Sequence, residues 1–254
     1  MLGASLAALR GVRATRLHEG GIMRRIGAIA LLSLVAASPA AAEPLFGDWS
    51  GLYLGGHFGG AWGSSDWFDL GAGNIGSHNP SGVIGGGQIG YNFQLGPWLL
   101  GPQASLSGSS LGGSHLDAIF QFGAAPEYDR SRNDLLGTLT GRAGYAWGPL
   151  LAYGQGGAAW AHARYSLTGF FAPGLEFAVS DSERWGWTAG AGLELGFAPG
   201  WSGFVEYDYL GFGSDVATLK CTAVPDCGPP GKGAIGISIR ENFHVVKTGL
   251  NFHF

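Results

Sequence analysis

The chain has 254 residues and a formal net charge of −4, from 14 basic and 18 acidic side chains. An acidic chain without a basic cluster lacks the positive surface that nucleic acid needs, so we expect no nucleic-acid partner. The 48 glycines and 12 prolines approach the level typical of disordered chains. Aromatic residues at 13% nevertheless indicate a folded domain, because disordered segments are poor in them.

The first 42 residues have the pattern of a leader followed by a secretory signal peptide. A basic segment begins at Met23, an apolar run covers 26–37, and the small residues Ala40 and Ala42 occupy the positions that define a cleavage site. The run is too short for a membrane-spanning helix, which needs about 20 residues to cross about 30 Å of hydrocarbon. We therefore predict that translation starts at Met23 and that export removes the signal peptide by cleavage after Ala42, so that the mature protein lacks residues 1–42.

In the remaining chain, 43–254, tight turns alternate with long polar stretches. The Pro/Gly turns lie at 95–98, 147–149 and 198–201, and the polar stretches lie at roughly 63–81, 107–132, 166–183 and 211–240. Three short and four long connections require eight strands. Because outer-membrane barrels have short periplasmic turns and long extracellular loops, the sequence predicts an all-β domain, an eight-stranded antiparallel transmembrane up-and-down β-barrel.

The predicted strands have one apolar and one polar face, because side chains in a strand alternate with a period of two. Over 184–197, Trp185 and Leu193 oppose Thr188 and Glu194. The terminal strand places on its apolar face Val246, Thr248, Leu250, Phe252 and Phe254. An apolar exterior around a polar interior is the inverse of a soluble barrel and is typical of a wall that faces lipid.

Aromatic residues collect near both ends of the predicted strands. Near the short turns lie Trp98, Trp147, Phe197, Trp201, Phe252 and Phe254, and near the long stretches lie Trp62, Trp160, Trp185, Trp187 and Tyr209. Aromatic side chains favour the two membrane interfaces, so these sets predict two girdles. Pro102 lacks a backbone donor, which predicts a bulge or irregular stretch in the strand over 98–107. The run 150–164 is rich in Gly and Ala, so the sequence does not decide which of its residues point into the barrel.

Five charged residues fall on the inward face at similar distances from the periplasmic turns. They are Arg142, Glu194, Glu206, Asp208 and Lys247. The interior of eight strands is narrow enough for side chains to fill, and unpaired charges there would cost several kcal/mol. We expect the two basic residues to pair with the three acids and plug the lumen. A gate that opens by exchange of partners is the alternative.

The two cysteines, Cys221 and Cys227, both fall in the fourth long stretch. Export through an oxidising periplasm favours a disulfide between them, which would stabilise the loop by roughly 2 kcal/mol. A pair of free thiols is the alternative.

Several segments together resemble the small outer-membrane β-barrel proteins of Gram-negative bacteria, described as porin-like or outer-membrane immunogenic proteins. These segments are WSGLYLGGHFGGAWG (49–63), GVIGGGQIGYNFQLGPWLLG (82–101), LGTLTGRAGYAWGPLLAYGQGGAAW (136–160), GWTAGAGLELGFAPGWSGFVEYDYLGFG (186–213) and VKTGLNFHF (246–254). The resemblance implies a cell outer-membrane location among outer-membrane lipids. It also implies that Leu250, Phe252 and Phe254 form a terminal signal for the outer-membrane insertion machinery. Gln103 departs from the family pattern, which often has an inward acid there.

Relatives of this kind are described as surface antigens, envelope-stabilising proteins, porin-like proteins or haem binders. We expect a non-enzymatic protein with a structural and surface-interaction role, an unidentified surface ligand, no cofactor and no metal. The main alternative is a narrow passive channel for ions and small solutes, and self-association is left open. A lipid-modifying enzyme is a further alternative, because Ser110 lies in a G-x-S-x-G motif near His115. The last alternative is that the protein binds haem.

Overall fold

The computed structural model describes residues 48–117, 128–168, 176–222 and 233–254. Its strands are β1 (Gly51–Asp69), β2 (Gly73–His78), β3 (Ser81–Leu95), β4 (Trp98–Leu116), β5 (Tyr128–Trp147), β6 (Leu150–Thr168), β7 (Glu176–Ala198), β8 (Trp201–Cys221) and β9 (Ala234–His253). None of the described residues belongs to a helix long and apolar enough to cross a membrane. The predicted leader and signal peptide, 1–42 with Ala40 and Ala42, lies outside the described residues and stays a prediction.

The strands form one closed antiparallel ring, in which β1 pairs with both β3 and β9. Strand β2 pairs with the upper part of β1, while β3 pairs with its lower part, so β2 and β3 together take one of eight positions. The two strands are separated at Asn79 and Pro80, and proline lacks the N–H that would continue the ladder. The predicted all-β up-and-down barrel is confirmed, with one strand divided in two.

The three predicted tight turns join β3 to β4, β5 to β6 and β7 to β8. Each contains a glycine with positive φ, namely Gly96, Gly148 and Gly200, a conformation that other residues rarely adopt. At Pro102 the β3–β4 ladder has the predicted irregular stretch, because Gly101 and Pro102 have no ladder partner on β3, whereas the alternative of a bulge is wrong, since the register is the same on both sides. The register shift of β4 lies instead between Gly108 and Leu111.

The outward face of the lower barrel is apolar, and both aromatic sets lie on it. Trp98, Trp147 and Phe254 are exposed at the turn end, and Trp62 and Trp185 are exposed about ten residues further up the strands. Such a band matches the apolar zone of outer-membrane barrels, about 25 Å tall between two girdles. We treat the strand segments between these sets as membrane-spanning, and the parts beyond Trp62 and Trp185 as extracellular.

The strands extend well beyond this band into the stretches expected to be long loops, and β1 with β2 forms a hairpin over most of 63–81. In this upper part the apolar side chains point into the barrel and the polar side chains point outward, which is the reverse of the lower barrel. Apolar side chains such as Trp67, Ile237 and Ile239 point inward, while Arg132 and Arg240 are exposed. The expectation of an apolar exterior therefore holds only for the lower barrel. Above the lipid the outer wall meets water, so burial favours the pattern of a soluble barrel.

Side chains fill the interior in successive layers. The turn end is closed by Trp49, Leu99, Leu151 and Tyr153. Above this end, β9 points into four further layers in order: Lys247 into a charged layer, Phe243 into a middle apolar cluster, Glu241 into a second polar layer, and Ile239 into an upper apolar cluster. The interior is therefore packed both within the membrane band and above it.

Candidate functional site

The first part of the charged layer surrounds Glu194. Arg142 on β5 forms an ion pair with Glu194 on β7 through Nη2 and Oε2. The other carboxylate oxygen accepts hydrogen bonds from Ser202 Oγ at 2.5 Å and from Asn251 Nδ2 at 2.7 Å. Both ions are almost fully buried. A buried charge needs such partners because they replace the hydrogen bonds that water would provide.

The second part of the charged layer surrounds Lys247 on β9. Its Nζ lies 2.7 Å from Glu206 Oε1 and 3.1 Å from Asp208 Oδ2. Both acids lie on β8, and Glu206 is the direct ladder partner of Lys247. The alternation of β8 places Glu206 and Asp208 on one face, two residues apart, which allows a single ammonium group to bridge them.

The structure thus brings together all five charged residues that the sequence places in the lumen. Two tyrosines connect the two parts of the layer. Arg142 Nη1 donates to Tyr53 Oη at 3.1 Å, and the guanidinium carbon lies 3.7 Å from the ring centre of Tyr153. Tyr153 Oη in turn donates to Glu206 Oε2 at 2.6 Å. Tyr153 carries no sequence signal for this position, because the surrounding Gly/Ala run has no clear apolar or polar face.

Gln103 also belongs to this layer. Its Oε1 accepts a hydrogen bond from Tyr53 Oη at 2.6 Å, and its Nε2 donates to Gln155 Oε1 at 3.3 Å. Gln155 Nε2 then donates to Asp208 Oδ1 at 2.7 Å. A neutral amide therefore occupies the position where the resemblance implied an inward acid. It links the two parts of the layer without adding a third carboxylate near Asp208 and Glu206.

The second polar layer, above the middle apolar cluster, was not singled out by the sequence. Arg184 Nη1 lies 3.3 Å from Glu241 Oε2, and both side chains are buried. Glu241 also accepts hydrogen bonds from Tyr165 Oη at 2.9 Å and Ser65 Oγ at 3.0 Å. Arg184 Nη2 donates to the carbonyl of Ile239 at 2.8 Å. The sequence could have indicated this layer, because Arg184 and Glu241 fall on the inward face if the alternation of β7 and β9 is continued beyond the membrane band.

Two histidines are in contact in the extracellular part of the barrel. His78 Nδ1 lies 2.9 Å from His115 Nδ1, His78 Nε2 lies 2.7 Å from Ser131 Oγ, and His115 Nε2 lies 3.0 Å from Asp129 Oδ2. Burial, together with the neighbouring His115, lowers the pKa of His78 to about 4. Burial raises the pKa of Asp129, although His115 opposes this shift. Trp67 packs against both imidazole rings.

The G-x-S-x-G motif does not form a hydrolase site with His115. Strand β4 continues through the motif to Leu116, so the strand-to-helix turn of a nucleophile elbow is absent at this point. Ser110 is exposed on the outer wall, while His115 points inward to Asp129. Within the described ranges, no group of three or more His, Cys, Asp or Glu side chains is arranged to hold a metal ion.

The predicted disulfide and the terminal signal are only partly covered by the described residues. Cys221 is buried at the end of β8, whereas Cys227 lies outside the described residues, so their pairing stays a prediction. Leu250 and Phe254 point outward at the turn end of β9, and Phe254 N donates to Leu52 O at 2.9 Å, which helps close the ring. Their role in assembly also stays a prediction.

Comparison with known proteins identifies the family. Residues 27–254 match the family described as "Outer membrane protein beta-barrel domain". The chain belongs to this family. The 31 kDa outer-membrane immunogenic protein of Brucella melitensis is 31% identical over 176 residues, which cover 68% of this chain and 67% of that protein. This outer-membrane barrel is therefore located in the cell outer membrane, as predicted.

The chain is also similar to two solved outer-membrane proteins at low sequence identity. OprG from Pseudomonas aeruginosa has 13% identity and a TM-score of 0.45, with 84% of this chain and 100% of that chain covered. The protease OmpT from Escherichia coli has 10% identity and a TM-score of 0.48, with 80% and 97% covered.

Proposed function

We propose that this outer-membrane barrel is closed at rest and has a structural and surface-interaction role, as an envelope-integrity protein and surface antigen, rather than a catalytic role. The observation that supports the proposal is the filled interior. Two polar layers and three apolar clusters follow one another from Trp49 at the turn end to Ile237 in the upper barrel.

The order of these layers opposes ion passage. An ion would have to cross the cluster around Phe243 and the cluster around Ile239, whose apolar side chains cannot replace its water, and desolvation of an ion costs many kcal/mol. In the charged layer, opening a path would require Arg142 or Lys247 to leave buried carboxylates without a partner. The charged layer therefore acts as a plug that also ties together the strands from which its members project.

The upper barrel supports the surface role. Its strands continue beyond the apolar band with a polar outer wall, on which residues such as Arg132, Asp181 and Arg240 are exposed. Exposed loops and strand ends carry most recognition functions on rigid scaffolds. The similarity to a protein named as an outer-membrane immunogen is consistent with recognition at this surface.

Planar-bilayer recording of the refolded chain 43–254 tests the proposal. We expect no steady conductance, although heat-dependent migration in a gel should show that the barrel has folded. Large, stable, ohmic currents from the same folded sample would contradict the closed barrel and favour the channel alternative. Incubation with outer-membrane lipids should leave the mass of lipid A unchanged, and a change of mass would contradict the non-enzymatic role.

A further inference from the structure

Three arginines form a positive patch on the outer wall of the upper barrel. Arg130 and Arg132 lie on the outward face of β5, and Arg164 lies on the outward face of β6. Arg132 and Arg164 are direct ladder partners, and Arg130 lies two residues further up. We call these three residues the arginine face.

Carboxylates within the described residues neutralise the arginine face only weakly. Arg164 lies 3.7 Å from Glu176 and 3.8 Å from Asp181, and all three side chains are about half exposed, so solvent screens both pairs. In the same described residues, neither Arg130 nor Arg132 is within ion-pair distance of a carboxylate, and the weaker attraction between Arg132 and the exposed Asp134, two residues below it, acts through solvent. Like charges that face each other across a ladder destabilise a sheet. A bound anion would remove this repulsion.

The arginine face borders a recess that suits an oxyanion. The recess has a volume of about 560 Å³ and is lined by all three arginines together with Ser110 and Ser114, and Glu176 is the one carboxylate among its lining residues. Gly112, the ladder partner of Arg132, also lines it and leaves the floor open because it has no side chain. Guanidinium groups bind phosphate through paired N–H donors, and serine hydroxyls add further donors. The set of donors therefore fits a phosphate group.

The height of the arginine face favours a lipid as the source of that phosphate. Arg164 lies four residues above Trp160, whose ladder partner Trp185 belongs to the upper aromatic girdle. Four residues span roughly 13 Å of strand, or roughly 10 Å of height at the usual tilt of a barrel strand. The headgroup layer extends roughly 5–7 Å beyond the hydrocarbon, and a long arginine side chain can reach down to its outer edge.

We propose that the arginine face binds the phosphate-bearing headgroup of a glycolipid in the outer leaflet. The acyl chains of the lipid lie against the apolar wall below, and its phosphates enter the recess between β4 and β6. This binding goes beyond the closed-barrel role, since it holds whether or not the lumen conducts.

The test measures binding of bis-phosphorylated lipid A to the refolded, detergent-solubilised full barrel. The double variant Arg132→Gln/Arg164→Gln removes two facing guanidinium groups and should bind at least about tenfold more weakly than the natural chain. Arg240→Gln is the matched control. Arg240 is exposed on β9, four residues above His244, which is the ladder partner of Trp62 in the upper girdle, so it has a similar height on another part of the wall.

Two further probes identify the source of the phosphate. Dephosphorylated lipid A should bind the natural chain at least about tenfold more weakly than the phosphorylated form, and inorganic phosphate alone should not reach the affinity of the lipid. Equal binding of both lipid forms, equal binding by the double variant, or equal weakening by Arg240→Gln would overturn the proposal. Inorganic phosphate binding as tightly as the lipid would overturn the assignment to a membrane headgroup. Heat-dependent gel migration verifies that each variant is folded.

Discussion

Replacing Arg142 with Met tests whether the charged layer contributes to stability as a set of pairs. The side chain of Met keeps an unbranched apolar stem but is shorter and has no charge, so the change leaves the buried carboxylate of Glu194 without its ion-pair partner. Ser202 and Asn251 still donate to that carboxylate, and His253 Nε2 lies 3.2 Å from it, but none of the three replaces the guanidinium group. Breaking a buried pair on one side typically costs about 3–5 kcal/mol of unfolding free energy.

The compensating change Glu194→Gln separates the cost of an unpaired charge from the cost of lost packing. With both residues neutral, the double variant Arg142→Met/Glu194→Gln should regain at least about 2 kcal/mol relative to Arg142→Met alone, because no isolated charge remains. As a control, Arg240→Met changes an exposed arginine and should alter stability by less than about 0.5 kcal/mol.

Urea unfolding in detergent micelles, followed by the fluorescence of the nine tryptophans, measures these differences. A loss below about 1 kcal/mol for Arg142→Met, or no recovery in the double variant, would refute the reasoning. Either result would mean that the charges are hydrated in the folded barrel, and therefore that water occupies the lumen at this level.

Three further predictions concern other parts of the chain. The pKa of His78, which lies outside the membrane band, falls from 6.5 to about 4 on folding, so the unfolded chain binds more protons between these values. The contribution of His78 to the free energy of unfolding should be complete above about pH 6.5 and should fall by up to about 3 kcal/mol as the pH is lowered towards 4. Urea unfolding should therefore depend less on pH in the variant His78→Gln. Deleting Phe254 should lower the free energy of unfolding by roughly 2–3 kcal/mol, which still allows refolding in detergent. In cells the deletion should deplete the protein from outer membranes, and normal membrane levels would contradict an assembly role. A non-reducing peptide map should recover Cys221 linked to Cys227, whereas complete labelling of both thiols without reductant would rule the disulfide out.

The sequence by itself determined the class of fold and the facing of the lower barrel. Alternation with a period of two directly reports which side chains share a face, and lipid outside the barrel makes that alternation strong. For the same reason Arg142, Glu194 and Lys247 could be assigned to the interior. Counting from the turns also placed them at one level, because the tight turns at Gly148 and Gly200 mark the same end of the barrel.

Only the tertiary structure decided how far the strands extend and which side chains meet across the lumen. Above the girdle the outer wall faces water, so strand and loop have a similar polar composition, and the extension of β1 into β2 has no distinct sequence signal. Contacts such as Arg184 with Glu241 or His78 with His115 join residues from strands far apart in the chain. Such contacts depend on the register and closure of the ring, which set the height of every inward side chain relative to all others.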